Sequence, residues 1–194
     1  MSSDSPSSFS RRAAIKAVAV GVGGVALSEA AWAQALAVRQ QAAAQPSTGL
    51  RFFTADEYRA VDQLTELIIP TDEHSPGASA AKVAEFIDYL LSGADTDEKR
   101  RWRDGLADIN RRTNSRWKKN FVDCASDQQI ALLTEIAARE QSPRAAVERF
   151  FVELKERTIQ GYYTSEIGIH QDLRYLGNRY LDEFVGCTHP EHGA

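Results

Sequence analysis

Cysteine is nearly absent from this chain: 194 residues hold two, Cys124 and Cys187. Two thiols are too few for a disulfide framework, they lack the close spacing of a paired-cysteine zinc site, and no haem-attachment pair occurs. A surplus of positive charge is also missing. The formal net charge is −4, and the first 33 residues set Arg11, Arg12 and Lys16 against Asp4 and Glu29, so the remainder is more acidic than the whole. That argues against a nucleic-acid partner, which is met by clustered Lys and Arg, and against attachment to anionic lipid by charge. No apolar run reaches the roughly 20 residues a helix needs to cross a bilayer. No alternation of polar and apolar residues is long enough to suggest a sheet. No phosphate loop occurs, and Gly21-Val22-Gly23-Gly24 has no strand before it to make a dinucleotide fingerprint.

What is present begins with a leader. After a polar, Ser-rich start come Ser10-Arg11-Arg12-Ala13-Ala14-Ile15-Lys16, an uncharged stretch from Ala17 to Leu27, and Ala31-Trp32-Ala33. The order is that of a secretory signal: basic motif, short apolar region, small-x-small cleavage site. The basic part resembles the twin-arginine signal, with Arg11 and Arg12 as its pair and Ala14 where Phe is commoner. Cleavage after Ala33 makes Gln34 the new N-terminus, Ala33-Gln34-Ala35 is a second site, and an uncleaved leader would serve as a membrane tether. The chain thus divides into a signal over 1–33, an Ala/Gln-rich linker over 34–50 and a folded part over 51–194.

The folded part reads as helices with local start and stop signals. Thr54 and Glu57 form a capping box, Tyr58, Val61, Leu64, Leu67 and Ile68 share one face, and Pro70 stops the helix. Ser79 is expected to cap a second helix bearing Val83, Phe86, Ile87, Leu90 and Leu91, with Gly93 beyond its end. Asp95 and Glu98 open a third, carrying Trp102, Leu106, Ile109, Trp117 and Phe121, with a break or exposed turn across residues 111–115. Ser126 and Gln129 start a fourth, with Ile130, Leu133 and Ile136 inward. A fifth starts at Ser142-Pro143 with Val147, Phe150, Phe151, Leu154 and Ile159 inward. The fold class is all-α, a compact bundle of about five or six helices. After Gly161 the chain turns into an irregular Tyr-, Gly- and His-rich tail, which either wraps the bundle or meets a partner. Its rings Tyr162, Tyr163 and Tyr175 suit an interface, being apolar with a polar tip.

Chemistry is thin. Cys187, His189 and His192 bring three donors together, one short of a structural zinc site. A Cys187/His189 nucleophile pair would still need an orienting group and an oxyanion site. In an oxidising compartment Cys124 and Cys187 are expected to pair, with a bond to another subunit or a free buried thiol as the alternatives. The basic run Arg100, Arg101, Arg103, Arg111, Arg112, Lys118 and Lys119 reads as a solvated face, or as a dock for an acidic partner.

Several segments resemble the gluconate 2-dehydrogenase subunit 3 family: Phe52-Phe53-Thr54-x-x-Glu57, Leu67-Ile68-Ile69-Pro70-Thr71-Asp72, Ser75-Pro76-Gly77-Ala78, Val83-x-x-Phe86-Ile87-Asp88, Gly161-Tyr162-Tyr163-Thr164-Ser165 and Gly186-Cys187-Thr188-His189-Pro190. The resemblance implies a non-catalytic small subunit with no cofactor or metal of its own. Its partners would be an FAD-binding large subunit that oxidises a sugar or sugar acid, a cytochrome c subunit, and the twin-arginine translocase during export. It implies a periplasmic location, membrane-associated through the complex. It supplies no catalytic residues. The alternative is a stand-alone exported enzyme or binding protein built on Cys187, His189 and His192.

Overall fold

The computed structural model describes residues 49–175, together with 33, 34, 36, 37 and 177. Between 49 and 175 every regular element is helical: α1 (Ala55–Ile68), α2 (Val83–Ser92), α3 (Thr96–Trp117), a 3-10 turn (Phe121–Asp123), α4 (Ser126–Ala137), α5 (Ala146–Tyr163) and a π-helix (Ile167–Asp172). The all-α bundle expected from sequence is what the chain forms. None of the described helices is long and apolar enough to cross a membrane.

Two helix starts follow directly from local chemistry. Thr54 Oγ1 accepts from the Glu57 amide at 3.2 Å while Glu57 Oε2 accepts from the Thr54 amide at 2.8 Å, closing the box. Asp95 Oδ1 accepts from the Glu98 amide at 2.7 Å, which holds the Asp95 carboxyl below its ordinary value. Glu98 does not complete a second box, because it pairs across the bundle with Arg157 at 2.9 Å.

Other expectations fail where another group competes. Ser79 does not cap α2: the Ala81 and Lys82 amides it would receive go instead to Gly77 O at 3.1 Å and Ser79 O at 3.0 Å, and the helix starts only after Lys82, in a left-handed conformation at φ 56°. The fifth helix starts at Ala146 rather than beside Pro143. Glu148 Oε2 accepts from the Arg144 amide at 2.6 Å and the Ala145 amide at 2.9 Å, fixing the start there and holding its own carboxyl low. No break falls at 111–115. Arg111 and Arg112 both pair with Asp108 one turn back, and Thr113 is fully buried, so the run stays on the helix. Ile130 is 43% exposed rather than inward. Gln129 takes the inward position instead, giving its amide to Phe121 O at 2.7 Å and Gln63 Oε1 at 2.9 Å.

Helix α5 is the shaft of the bundle, in contact with each of the other four α-helices. Glycines at two crossings permit close approach. A Cβ on Gly105 would enter the Phe150 ring, and one on Gly161 would lie 2.8 Å from Phe86 Cδ1. The core around them is aromatic: Trp102 meets Phe150 edge-on at 5.3 Å and Phe53 at 6.1 Å. Trp102 is fully buried, and its ring N–H reaches Glu153 Oε1 at 2.7 Å.

The segment entering the bundle is held by one carboxylate. Asp88, 4% exposed in the middle of α2, accepts from the amides of Arg51 (2.7 Å), Phe52 (3.0 Å) and Phe53 (2.8 Å). Outside it, the Arg103 guanidinium lies 4.7 Å from the Phe52 ring centre and donates to Phe52 O at 3.2 Å. The basic run on α3 is largely neutralised within the chain: Arg100 with Asp97, Arg101 with Glu153, Arg103 with Glu57, and Arg111 and Arg112 with Asp108.

Three outcomes are expected. Asp88→Ala lowers stability in urea by about 3 kcal/mol, since charge-assisted bonds to buried amides are lost together, and Asp88→Asn costs less because one acceptor oxygen remains. Gly105→Ala costs about 1–3 kcal/mol by overpacking against Phe150. Because Asp95 and Glu148 have folded pKa values below the ordinary carboxylate range, their contribution is complete above about pH 5 and is lost progressively as the pH falls below it. Amide exchange at the starts of α3 and α5 should therefore quicken at acid pH before the core opens.

Candidate functional site

Two of the segments that carry the resemblance, far apart in sequence, meet at one end of the bundle. The first is the loop between α1 and α2. Pro70 forbids helix beyond Ile69, and the Ala78 amide returns to Ile69 O at 2.9 Å, closing the loop's base. Glu66, from the last turns of α1, fills the interior. Its Oε1 accepts from the Thr71 amide (2.8 Å) and hydroxyl (3.0 Å), and its Oε2 from the Ser79 amide. Gly77 lies beneath it, and a Cβ there would push the Glu66 carboxylate out of its place. At the tip Asp72 Oδ1 accepts from the amides of His74 (2.8 Å) and Ser75 (3.1 Å), a side-chain-made turn.

The second segment is the C-terminal end of α5. Tyr162 is fully buried, and its hydroxyl donates to Pro76 O at 2.7 Å. With that proton committed, the contact at 2.8 Å to Ser75 Oγ is one in which the serine donates. Ser75 is itself 5% exposed. One phenol thus ties the loop to the helix, while Thr71, Asp72, Glu73 and His74 remain at the surface. The Glu73–His74 pair, 3.4 Å apart and well exposed, adds little stability.

Tyr162 is therefore a core residue and not the partner contact expected from its place in a tyrosine-rich tail. The apparent change of character after Gly161 is the last turn of α5 being buried by the loop. Tyr163 is half-buried, edge-on to Tyr162 at 5.1 Å. Beyond it Ser165 Oγ donates to Tyr162 O at 2.6 Å and accepts from the Gly168 amide at 2.9 Å. Gly168 runs against Tyr162 O with no room for a side chain, and the chain continues as the π-helix, its Leu173 amide bonded to Gly168 O at 3.0 Å. Arg174 follows at φ 52°, between Leu173 at 57% and Tyr175 at 49% exposure. Of the three rings proposed for an interface, Tyr175 has the exposure one requires.

The remaining sequence candidates are not brought together among the described residues. Cys124 is a buried free thiol, its pKa raised by burial, at the end of the 3-10 turn. Cys187, His189 and His192 lie outside the described residues, as do Arg11 and Arg12 of the signal. Ala33 and Gln34 are exposed and helical. Many of the described carboxylates and guanidinium groups serve caps, turns and ion pairs, and no group of three or more metal-binding side chains occurs among the described residues. Between α3 and α5 a groove of about 310 Å³ is lined by Glu98, Arg101, Glu153 and Arg157, which pair within it. The residues that build the loop, Glu66 and Ser75, gave no sequence signal of that role. Asp88 did, as one charge within the apolar run Phe86-Ile87-Asp88.

Residues 55–180 match the family model of gluconate 2-dehydrogenase subunit 3. The chain belongs to this family. No curated protein and no solved structure matches it. The matched span runs from α1 past the π-helix and takes in Glu66, the loop, Asp88 and Tyr162. Membership places the chain among subunits of a dehydrogenase complex. Tyr162→Phe should cost about 1–2 kcal/mol and speed amide exchange across residues 73–78, while exchange at Phe52 and Phe53, held by Asp88, stays unchanged.

Proposed function

We propose that this chain is a non-catalytic small subunit that escorts a folded, FAD-binding sugar or sugar-acid dehydrogenase subunit through the twin-arginine pathway and stabilises it in the periplasm. The observation that carries the reading is family membership, joined to a leader bearing Arg11 and Arg12. The physical logic is that a flavin subunit must fold around FAD in the cytoplasm and then needs a route for folded cargo. A small subunit with its own signal supplies that route without an active site. A cytochrome c subunit would carry electrons onward, and the complex would sit at the membrane.

The pinned loop and the segment after the π-helix are the surfaces we assign to the large subunit. A loop already fixed by Glu66 and Tyr162 loses little entropy when it docks, so its polar tip binds with less ordering cost than a free loop. Leu173 and Tyr175 supply large apolar surface near the end of the described chain.

Co-expression of the tagged chain with its neighbouring genes should yield a yellow complex from the periplasmic and membrane fractions. Changing Arg11 and Arg12 to Lys should leave both proteins in the cytoplasm. Leu173→Ala with Tyr175→Ala should lower recovery of the flavoprotein at least about tenfold, the loss of roughly 1.4 kcal/mol or more of binding, without lowering the thermal midpoint of the small subunit alone. A colourless lone chain, exported normally, would overturn the proposal.

A further inference from the structure

The leader's cleavage site leaves a reactive residue in first position. Cutting after Ala33 frees the α-amine of Gln34, whose own side-chain carboxamide lies within reach of a five-membered ring. Ala33, Gln34, Leu36 and Ala37 are all exposed, so neither the peptide bond nor the carboxamide is shielded by the bundle. Among the described residues the chain is first tied to the bundle at Arg51, through Asp88.

We propose that the mature chain begins with pyroglutamate formed from Gln34. This rests on the reading that the leader is removed after Ala33. The α-amine attacks the side-chain carbonyl carbon Cδ, a bond forms between that nitrogen and Cδ, the Cδ–Nε2 bond breaks, and the amine's proton leaves with ammonia. Neither oxidant nor reductant takes part, and holding both reactants on one residue makes the step unimolecular. The product is a neutral lactam. It removes the terminal positive charge, so that Arg39 is the one charged group from residue 34 to Gly49. It also leaves no free amine for aminopeptidases, which would otherwise meet the start Gln34-Ala35-Leu36-Ala37 of the linker.

The test is the intact mass, after reduction, of the chain purified from the periplasm as its complex, with N-terminal sequencing before and after treatment with a pyroglutamyl peptidase. The expected mass is that of residues 34–194 less one ammonia, blocked to sequencing until the peptidase removes one residue. Gln34→Ala, a change at an exposed position, should give the same cut with a free amine, an unshifted mass and a ladder of shortened termini over residues 34–38. A mass for residues 34–194 with a free Gln34 amine would overturn the lactam while leaving the cleavage reading intact. A chain starting at Leu36 would overturn it through the second cleavage site. A chain retaining residues 1–33 would instead show that the leader reading itself had failed.

Discussion

The close seating of α5 among the other four helices is the constraint on which this bundle depends. That helix carries Phe150, Leu154, Thr158, Gly161 and Tyr162 on its buried side. Three of these dictate something of a neighbour: Phe150 requires Gly105 on α3, and Gly161 admits Val83 and Phe86 of α2. Tyr162 requires polar partners at its inner end, because a buried hydroxyl without them is costly. The loop after α1 provides them through Ser75 and Pro76. Helix packing and loop conformation are thus set by one side of one helix.

Single carboxylates solve the backbone problem at three places where the chain is not helical. Asp88 receives three amides of the entering segment, Glu66 receives two amides and a hydroxyl of the loop, and Glu148 receives two amides before α5. An acceptor with two charged oxygens can satisfy several amides that no helix or strand would pair. Other acids answer part of the basic surface: Asp97, Glu153, Glu57 and Asp108 pair with the arginines of α3.

Sequence reading succeeded where the determining interaction is local. The Thr54 box, the Asp95 cap, the stop at Pro70 and the inward faces of α1, α2 and α5 involve residues within a turn or two of each other. It failed at Ser79, Pro143, Ile130 and Tyr162. In the first, main-chain carbonyls took the amides a cap would have received, and in the second Glu148 took them. In the third Gln129 found partners on two other segments. In the last, composition suggested a surface tail, while burial was decided by a loop some 87 positions away in the chain.

The sequence by itself determined the fold class, the number and rough extent of the helices, and the family, because helical periodicity, caps and family motifs are written in short stretches. Only the tertiary structure decided which tyrosine is core and which is surface, where α2 and α5 begin, and that Asp88, Glu66 and Tyr162 fix the non-helical chain. The reason is that a hydrogen bond between distant residues leaves no periodic trace in either partner, and its existence depends on the packing that brings them together.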